Sequence, residues 1–184
     1  MKTTATPAAV SPVRRIAFFE KHYTLIADRL LDACGEPPTE MIHALICRHF
    51  VAAPATTSHD QKWCSFRELR EAGPLAVNFA NNTHKTIAMT FGDDLAALDR
   101  AAAGLAGCLE PGQGFDRRYR FQALPDVPLI LNYNAPDDLF SAQANLLFRR
   151  CAQTRLNIRD LFTLGTYLTG RLVVGTGKGR QCAT

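Results

Sequence analysis

VPLILNYN, residues Val127–Asn134, decides the class of fold. It is a near-continuous apolar run, bounded by Pro125-Asp126 on one side and Pro136-Asp137-Asp138 on the other. A run of this length between turn residues reads as a buried strand rather than a helix. Just upstream, Tyr119 to Leu124 alternate as a strand does. Downstream, LFSAQANLLFRR (residues 139–150) places Phe140, Ala142, Ala144 and Leu146 at every second position, which favours a further strand over a helix. Asn157 and Asp160 then cap a final helix with Ile158, Leu161, Phe162, Leu168 and Leu172 on one face.

Before Gly114 the pattern is helical. Ile16, Phe19, Tyr23, Ile26, Leu30 and Ala33 follow spacings of three and four, a helix stripe that Gly35 stops and Pro37-Pro38 resets. A second helix, about residues 38–53, carries Met41, Ile42, Leu45, Ile46 and Phe50, with His49 in its apolar stripe and His43 and Cys47 on the flank. Ser65 and Glu68 form a capping box for a short helix ending near Gly73. Pro74–Phe91 is ambiguous and is read as helix. Asp93 is read as the cap of a helix bearing Leu95, Leu98, Ala102, Leu105 and Leu109. The expected fold is therefore α+β: a single domain over residues 13–174, helices in the N-terminal half, a small mostly antiparallel sheet in the C-terminal half, and a final helix. Residues 1–12 are expected to be a disordered tail and 175–184 a flexible basic one.

At 184 residues with 47% hydrophobic and 21% charged side chains, burial alone suffices for folding, so no cofactor is called for. The six cysteines show no C-x₂₋₄-C spacing, which excludes zinc-ribbon and haem-attachment patterns. With no apolar leader and no run of membrane-spanning length, the reading is a soluble, cytoplasmic protein with reduced thiols. Net charge is +4, and residues 149–184 hold seven Lys/Arg against one Asp. That basic fifth suits an anionic partner, against the plainer reading of a solvated helix face and tail. No basic run interleaved with aromatics points to nucleic acid.

Four constellations carry chemistry-capable residues. His43 and Cys47, four apart on a helix, can offer two metal ligands but nothing nominates a third. Cys64 precedes a helix cap, where a thiolate is stabilised, yet it equally reads as a small packing residue. Trp63 and Arg67 flank the same turn and suit a pocket that grips an anion, though Trp63 also reads as a loop anchor. Asp137 and Asp138 can bind a cation or work as acid and base, or simply shape a turn. GTGKGR (residues 175–180) lacks phosphate-loop spacing and leaves no room for the helix such a loop needs.

KWCSFRELREAGPLAVNF (residues 62–79) and LPDVPLILNYNAPDDLFSAQANLLF (residues 124–148) together resemble two blocks of the uncharacterised prokaryotic family named domain of unknown function 3786, and LNIRDLFTLGTYL fits its ending. The resemblance spans roughly residues 60–172 and leaves the N-terminal segment unexplained. It implies an accessory role beside a redox or cofactor-bearing protein partner, of iron–sulfur or one-carbon type, and transfers no catalytic residue. The expected function is a non-catalytic binding module. The rival is an enzyme whose site is dispersed over the Trp63–Glu68 turn and Asp137/Asp138.

Overall fold

The computed structural model describes residues 14–26, 29–51, 60–112 and 114–176. Its first departure from expectation is at the start of the chain. Where a helix was expected, Arg14–Phe18 (β1), Lys21–Ile26 (β2) and Arg29–Leu31 (β3) form an antiparallel meander, with Ile16 opposite Tyr23. Strands therefore precede the first helix, and the expectation of an all-helical N-terminal half is wrong. The segment is rich in the aromatic and β-branched residues that suit a pleated surface. Its apolar positions alternate within each strand, and the two-residue turn between them happens to restore helical spacing. That turn, Phe19-Glu20, has no glycine or asparagine; Phe19 takes a φ of +50°. A bulky residue is strained there. Burial of its ring against Phe18 and Tyr167 offsets the strain.

Glu40–Val51 (α1) follows as expected, with Ile42, Leu45, Ile46 and His49 buried. Trp63–Ser65 (β4) leads into a single 3-10 turn, Phe66–Glu68, where Glu68 accepts from the N–H and O–H of Ser65 at 2.7 and 2.6 Å. Gly73–Ala80 (α2), a π turn at Asn81–Lys85 and Thr86–Phe91 (α3) run on as one helix, so the ambiguous stretch is helical. Its buried positions Phe79, Thr83, Ile87 and Phe91 lie four apart. A regular α-helix drifts by about 40° at each such step. The extra residue of the π turn takes up that drift and keeps all four on one face. Leu95–Ala103 (α4) is capped by Asp94, whose carboxylate accepts from Ala97 N–H at 2.8 Å; the cap is one residue later than expected. Leu109 is not on that helix but in Cys108–Leu109 (β5).

Arg117–Leu124 (β6), Val127–Asn134 (β7) and Gln143–Arg149 (β8) are the expected strands. With β4 and β5 they make an antiparallel sheet in the order β4-β8-β7-β6-β5. Ile158–Gly175 (α5) starts at the Asn157/Asp160 capping box and packs on α2, α3 and α4. Leu161, Leu164, Leu168 and Leu172 lie fully buried in one cluster with Phe121, Leu129, Leu131 and Phe148 of the sheet. The N-terminal meander joins the same cluster, and Phe19 N–H donates to Ala123 O at 3.0 Å, stitching it to the end of β6. The two expected tails fall almost wholly outside the described residues, although Gly175 closes α5. Among the described residues, no helix is long and apolar enough to cross a membrane.

β4 pairs only with Leu147–Arg149, so the next amide of β8 lacks a strand partner. His84 supplies one: Leu146 N–H donates to its Nε2 at 3.1 Å. The π turn thus delivers an acceptor to a sheet edge. Burial holds His84 below its usual value, so it stays neutral and keeps that lone pair. The unfolded chain takes up the proton near pH 6.5. Stability is therefore full above that pH and is lost as pH falls below it. His84→Gln, which retains an acceptor but does not titrate, is expected to lessen the drop in melting temperature between pH 7 and pH 5. A variant as acid-sensitive as the parent would contradict this.

Candidate functional site

The residues nominated from sequence do not assemble. Trp63 stands at one end of β8, paired across to Arg149, whose guanidinium lies 4.2 Å over the indole ring. Asp137 and Asp138 lie in the β7–β8 connection, beyond the opposite end of β8. Six residue steps of strand separate Gln143 from Arg149, about 20 Å. That distance separates Trp63 from the two aspartates; β4 runs back toward their end, with Ser65 opposite Leu147, and the cavity lined by Ser65, Phe66 and Arg67 takes in neither Asp137 nor Asp138. Cys64 is buried, and burial pushes its thiol up, away from the reactive thiolate; its Sγ sits 3.6 Å from Phe148 O. Asp137 shapes a turn: its Oδ1 accepts from Leu139 and Phe140 N–H at 2.8 and 2.7 Å. Asp138 is exposed. His43 and Cys47 do meet, with Sγ 3.8 Å from Nδ1, but no third metal-ligating side chain joins them among the described residues. His59 lies outside those residues.

The basic C-terminal fifth is largely consumed within the fold. Arg149 covers Trp63, Arg150 and Arg155 face Asp60 and Asp126 at 3.8 and 3.4 Å, and Arg171 meets Glu20. Of its seven basic residues, these four are engaged, Arg159 is exposed, and Lys178 and Arg180 lie outside the described residues.

Three cavities reach about 500 Å³; in one, lined by Cys47, Arg48, Val51, Arg155, Asn157 and Asp160, the charges are committed to the Arg48–Asp160 and Arg155–Asp126 pairs, which leaves two. The larger, about 570 Å³, lies beside Arg67 and is walled by Phe66, Ala76, Val77, Phe79 and Ala80. Ser65 O–H is donated to Glu68, and His84 Nε2 accepts from Leu146. Arg67 and the remaining ring nitrogen of His84, Nδ1, are the polar ends left there, set in a wall of Phe, Val and Ala side chains.

The second, about 500 Å³, lies in the seam where β2, the loop before α1 and the middle of α5 meet, and its lining includes Lys21, Tyr23, Glu36, Ile42, Tyr167 and Arg171. This one has convergent polar groups. The hydroxyls of Tyr23 and Tyr167 have no hydrogen-bond partner among the described residues, in contrast to Tyr133, which donates to Gly92 O at 2.6 Å. Burial, reinforced by the carboxylate of Glu20, pushes Tyr167 up to about 12; burial and then Asp32 push Tyr23 upward too. Both are neutral hydroxyls at any physiological pH. Behind them Arg171 Nη2 lies 2.6 Å from Glu20 Oε1, an ion pair rather than a directed bond: both Glu20 oxygens and Arg171 Nε are buried without a hydrogen-bond partner. The ion pair answers both charges and leaves Glu20 Oε2 and Arg171 Nε open to a further partner. A concave site with a few convergent polar groups is the usual form of a ligand pocket.

The sequence model of the family described as Domain of unknown function (DUF3786) matches residues 8–171. The chain belongs to that family. The match also takes in the N-terminal meander, which the blocks at residues 62–79 and 124–148 had left unexplained. Those blocks map, in this DUF3786 protein, onto the β4 capping turn with α2 and onto the β6–β8 strands, elements of the buried core. The seam cleft lies outside those two blocks, while Thr163, Thr166 and Tyr167 of its lining belong to the third stretch, LNIRDLFTLGTYL. No curated protein and no solved structure matches the chain.

Sequence reasoning missed the cleft because reading residues 16–33 as a helix hid the hairpin that carries Glu20, Lys21 and Tyr23. The signal was present in Tyr167 and Arg171, two polar-tipped side chains four apart on α5, next to the Leu164/Leu168/Leu172 stripe.

Proposed function

We propose that this DUF3786 protein is a non-catalytic binding module that holds a small polar molecule in the seam cleft. The observation that carries the reading is the pair of neutral tyrosine hydroxyls, without a hydrogen-bond partner among the described residues, beside the half-buried Glu20–Arg171 pair. These groups bind and orient. They include no cysteine, serine or histidine poised beside a base, the arrangement that nucleophilic chemistry needs. The dispersed-enzyme alternative is disfavoured because the cavity beside Ser65, Phe66 and Arg67 takes in neither Asp137 nor Asp138. A fragment library titrated into the full chain, followed by NMR shifts, tests the proposal. Hits are expected to perturb Tyr23, Tyr167 and Arg171 and to disappear in Thr163→Trp, which fills the cleft from α5. Hits confined to the Arg67 cavity, or turnover of any hit, would overturn it.

A second feature favours docking on a protein. Asp137 holds a rigid turn that presents Leu139 and Phe140, 83% and 62% exposed, side by side. Two adjacent apolar side chains fixed outward by hydrogen bonds are suited to insertion into a partner. The partner class, a redox or cofactor-bearing protein, rests on the family resemblance. Leu139→Ser/Phe140→Ser is expected to leave the melting temperature within about 2 °C, as exposed substitutions do, while abolishing recovery of a stoichiometric partner in pull-downs from the native cell. Equal recovery by parent and variant would dismiss this turn as the docking point.

A further inference from the structure

We infer that the occupant of the seam cleft is a small zwitterion, carrying a carboxylate and an amine separated by an apolar spacer; this rests on the cleft being a binding site. The charges that line it set the class. Arg171 is held by Glu20 at 2.6 Å. Asp32 Oδ1 accepts from the N–H groups of Cys34 and Glu36 at 2.9 and 3.0 Å, bonds that tie the carboxylate to its own loop and leave its negative charge on the Glu36 side of the cleft. Two side chains remain, one of each sign: Lys21, at the start of β2, and Glu36, in the loop before α1. Both line the cleft and neither takes part in an ion pair among the described residues.

Opposite charges left apart on one cavity, instead of closing on each other, leave it with two poles. A monoanion would answer Lys21 and leave Glu36 facing the pocket; a monocation would do the reverse; a dianion or dication would meet a like charge. Only a ligand with both poles is complementary throughout. Ile42, Met41 and the Pro37-Pro38 pair supply apolar lining for the spacer. The phenols of Tyr23 and Tyr167, kept neutral, donate to the carboxylate without adding charge. The site is thus that of a free amino acid or an ω-amino acid rather than a phosphate ester or a lipid.

Isothermal titration of the full chain with glycine, L-leucine, γ-aminobutyrate and ε-aminohexanoate, against hexanoate and hexylamine as single-pole controls, tests this. At least one zwitterion is expected to bind, and each control to bind at least tenfold more weakly. Lys21→Ala is expected to weaken that zwitterion tenfold or more and leave hexylamine unchanged. Glu36→Gln should spare hexanoate in the same way. Either control binding as tightly as the best zwitterion, with binding lost in Thr163→Trp, overturns the zwitterion and keeps the cleft as a site. Binding that Thr163→Trp does not affect overturns both. If none of the six probes binds, the zwitterion is wrong, and the fragment map then decides the cleft on its own.

Discussion

Gly165→Leu is expected to cost more than about 4 kcal/mol and to leave the chain without a cooperative melting transition. A Cβ at position 165 would sit 2.4 Å from Cε2 and 2.6 Å from Cζ of Phe79. That ring cannot swing aside, because it is 1% exposed and stacked on Phe66 at a centroid distance of 4.0 Å. Phe148 and Phe162 close its remaining sides at 5.9 and 5.7 Å. The missing side chain is thus what lets α5 lie against α2. Alanine offers the sharper measurement. In an exposed helix it would gain about 1 kcal/mol over glycine; here overpacking costs about 1–3 kcal/mol, so the net sign reverses. Chemical denaturation of Gly165→Ala should show a loss, and Phe79→Leu in the same chain should remove most of the extra cost, because the two sites couple. Additive single and double variants would show that Phe79 is not the obstacle.

What could be read from the sequence was what local chemistry dictates. Val127–Asn134 is a strand because its apolar run is short and fenced by Pro and Asp. Ser65/Glu68 and Asn157/Asp160 close capping turns because their side chains reach amides three residues away. The failures came where two periods fit one stretch. Ile16, Phe19, Tyr23 and Ile26 satisfy a helix stripe, yet the chain reverses between Phe18 and Lys21, at a turn carrying none of the residues that normally announce one. Tertiary burial of Phe19 chose the hairpin, and no window of local sequence contains that contact. Pro74–Phe91 was ambiguous for a related reason: its buried positions follow a four-residue step that only a π turn accommodates. The cleft was invisible because Lys21, Glu36 and Arg171 belong to three distant segments, and each reads singly as an ordinary surface charge. Trp63, Cys64 and Arg67 share one turn, but proximity in sequence to a cap or a turn says nothing of how far β8 carries Trp63 from Asp137 and Asp138.

Arg48→Ala is expected to lower stability by about 3 kcal/mol, the low end for breaking a buried ion pair. Arg48 grips Asp160 with both arms of its guanidinium, Nε donating to Oδ2 at 3.0 Å and Nη2 to Oδ1. The two residues lie on α1 and at the start of α5, so the pair pins the first helix to the last. Its asymmetry sets the size of the effect. Arg48 is half exposed, with a side chain at 49%, whereas that of Asp160 is at 3%. Removing the arginine strands a buried carboxylate whose other partner is the Asn157 N–H of its own capping box, at 3.3 Å. Removing the aspartate instead frees an arginine that water can reach, so Asp160→Asn, which retains a capping oxygen, should be the milder change. A loss of about 3 kcal/mol corresponds to roughly 6–12 °C in melting temperature for a chain of this size. If Asp160→Asn proves as damaging as Arg48→Ala, the cost lies in the cap and not in the stranded charge. Equal stability of Arg48→Ala and the parent would remove the pair as a tie between α1 and α5 altogether.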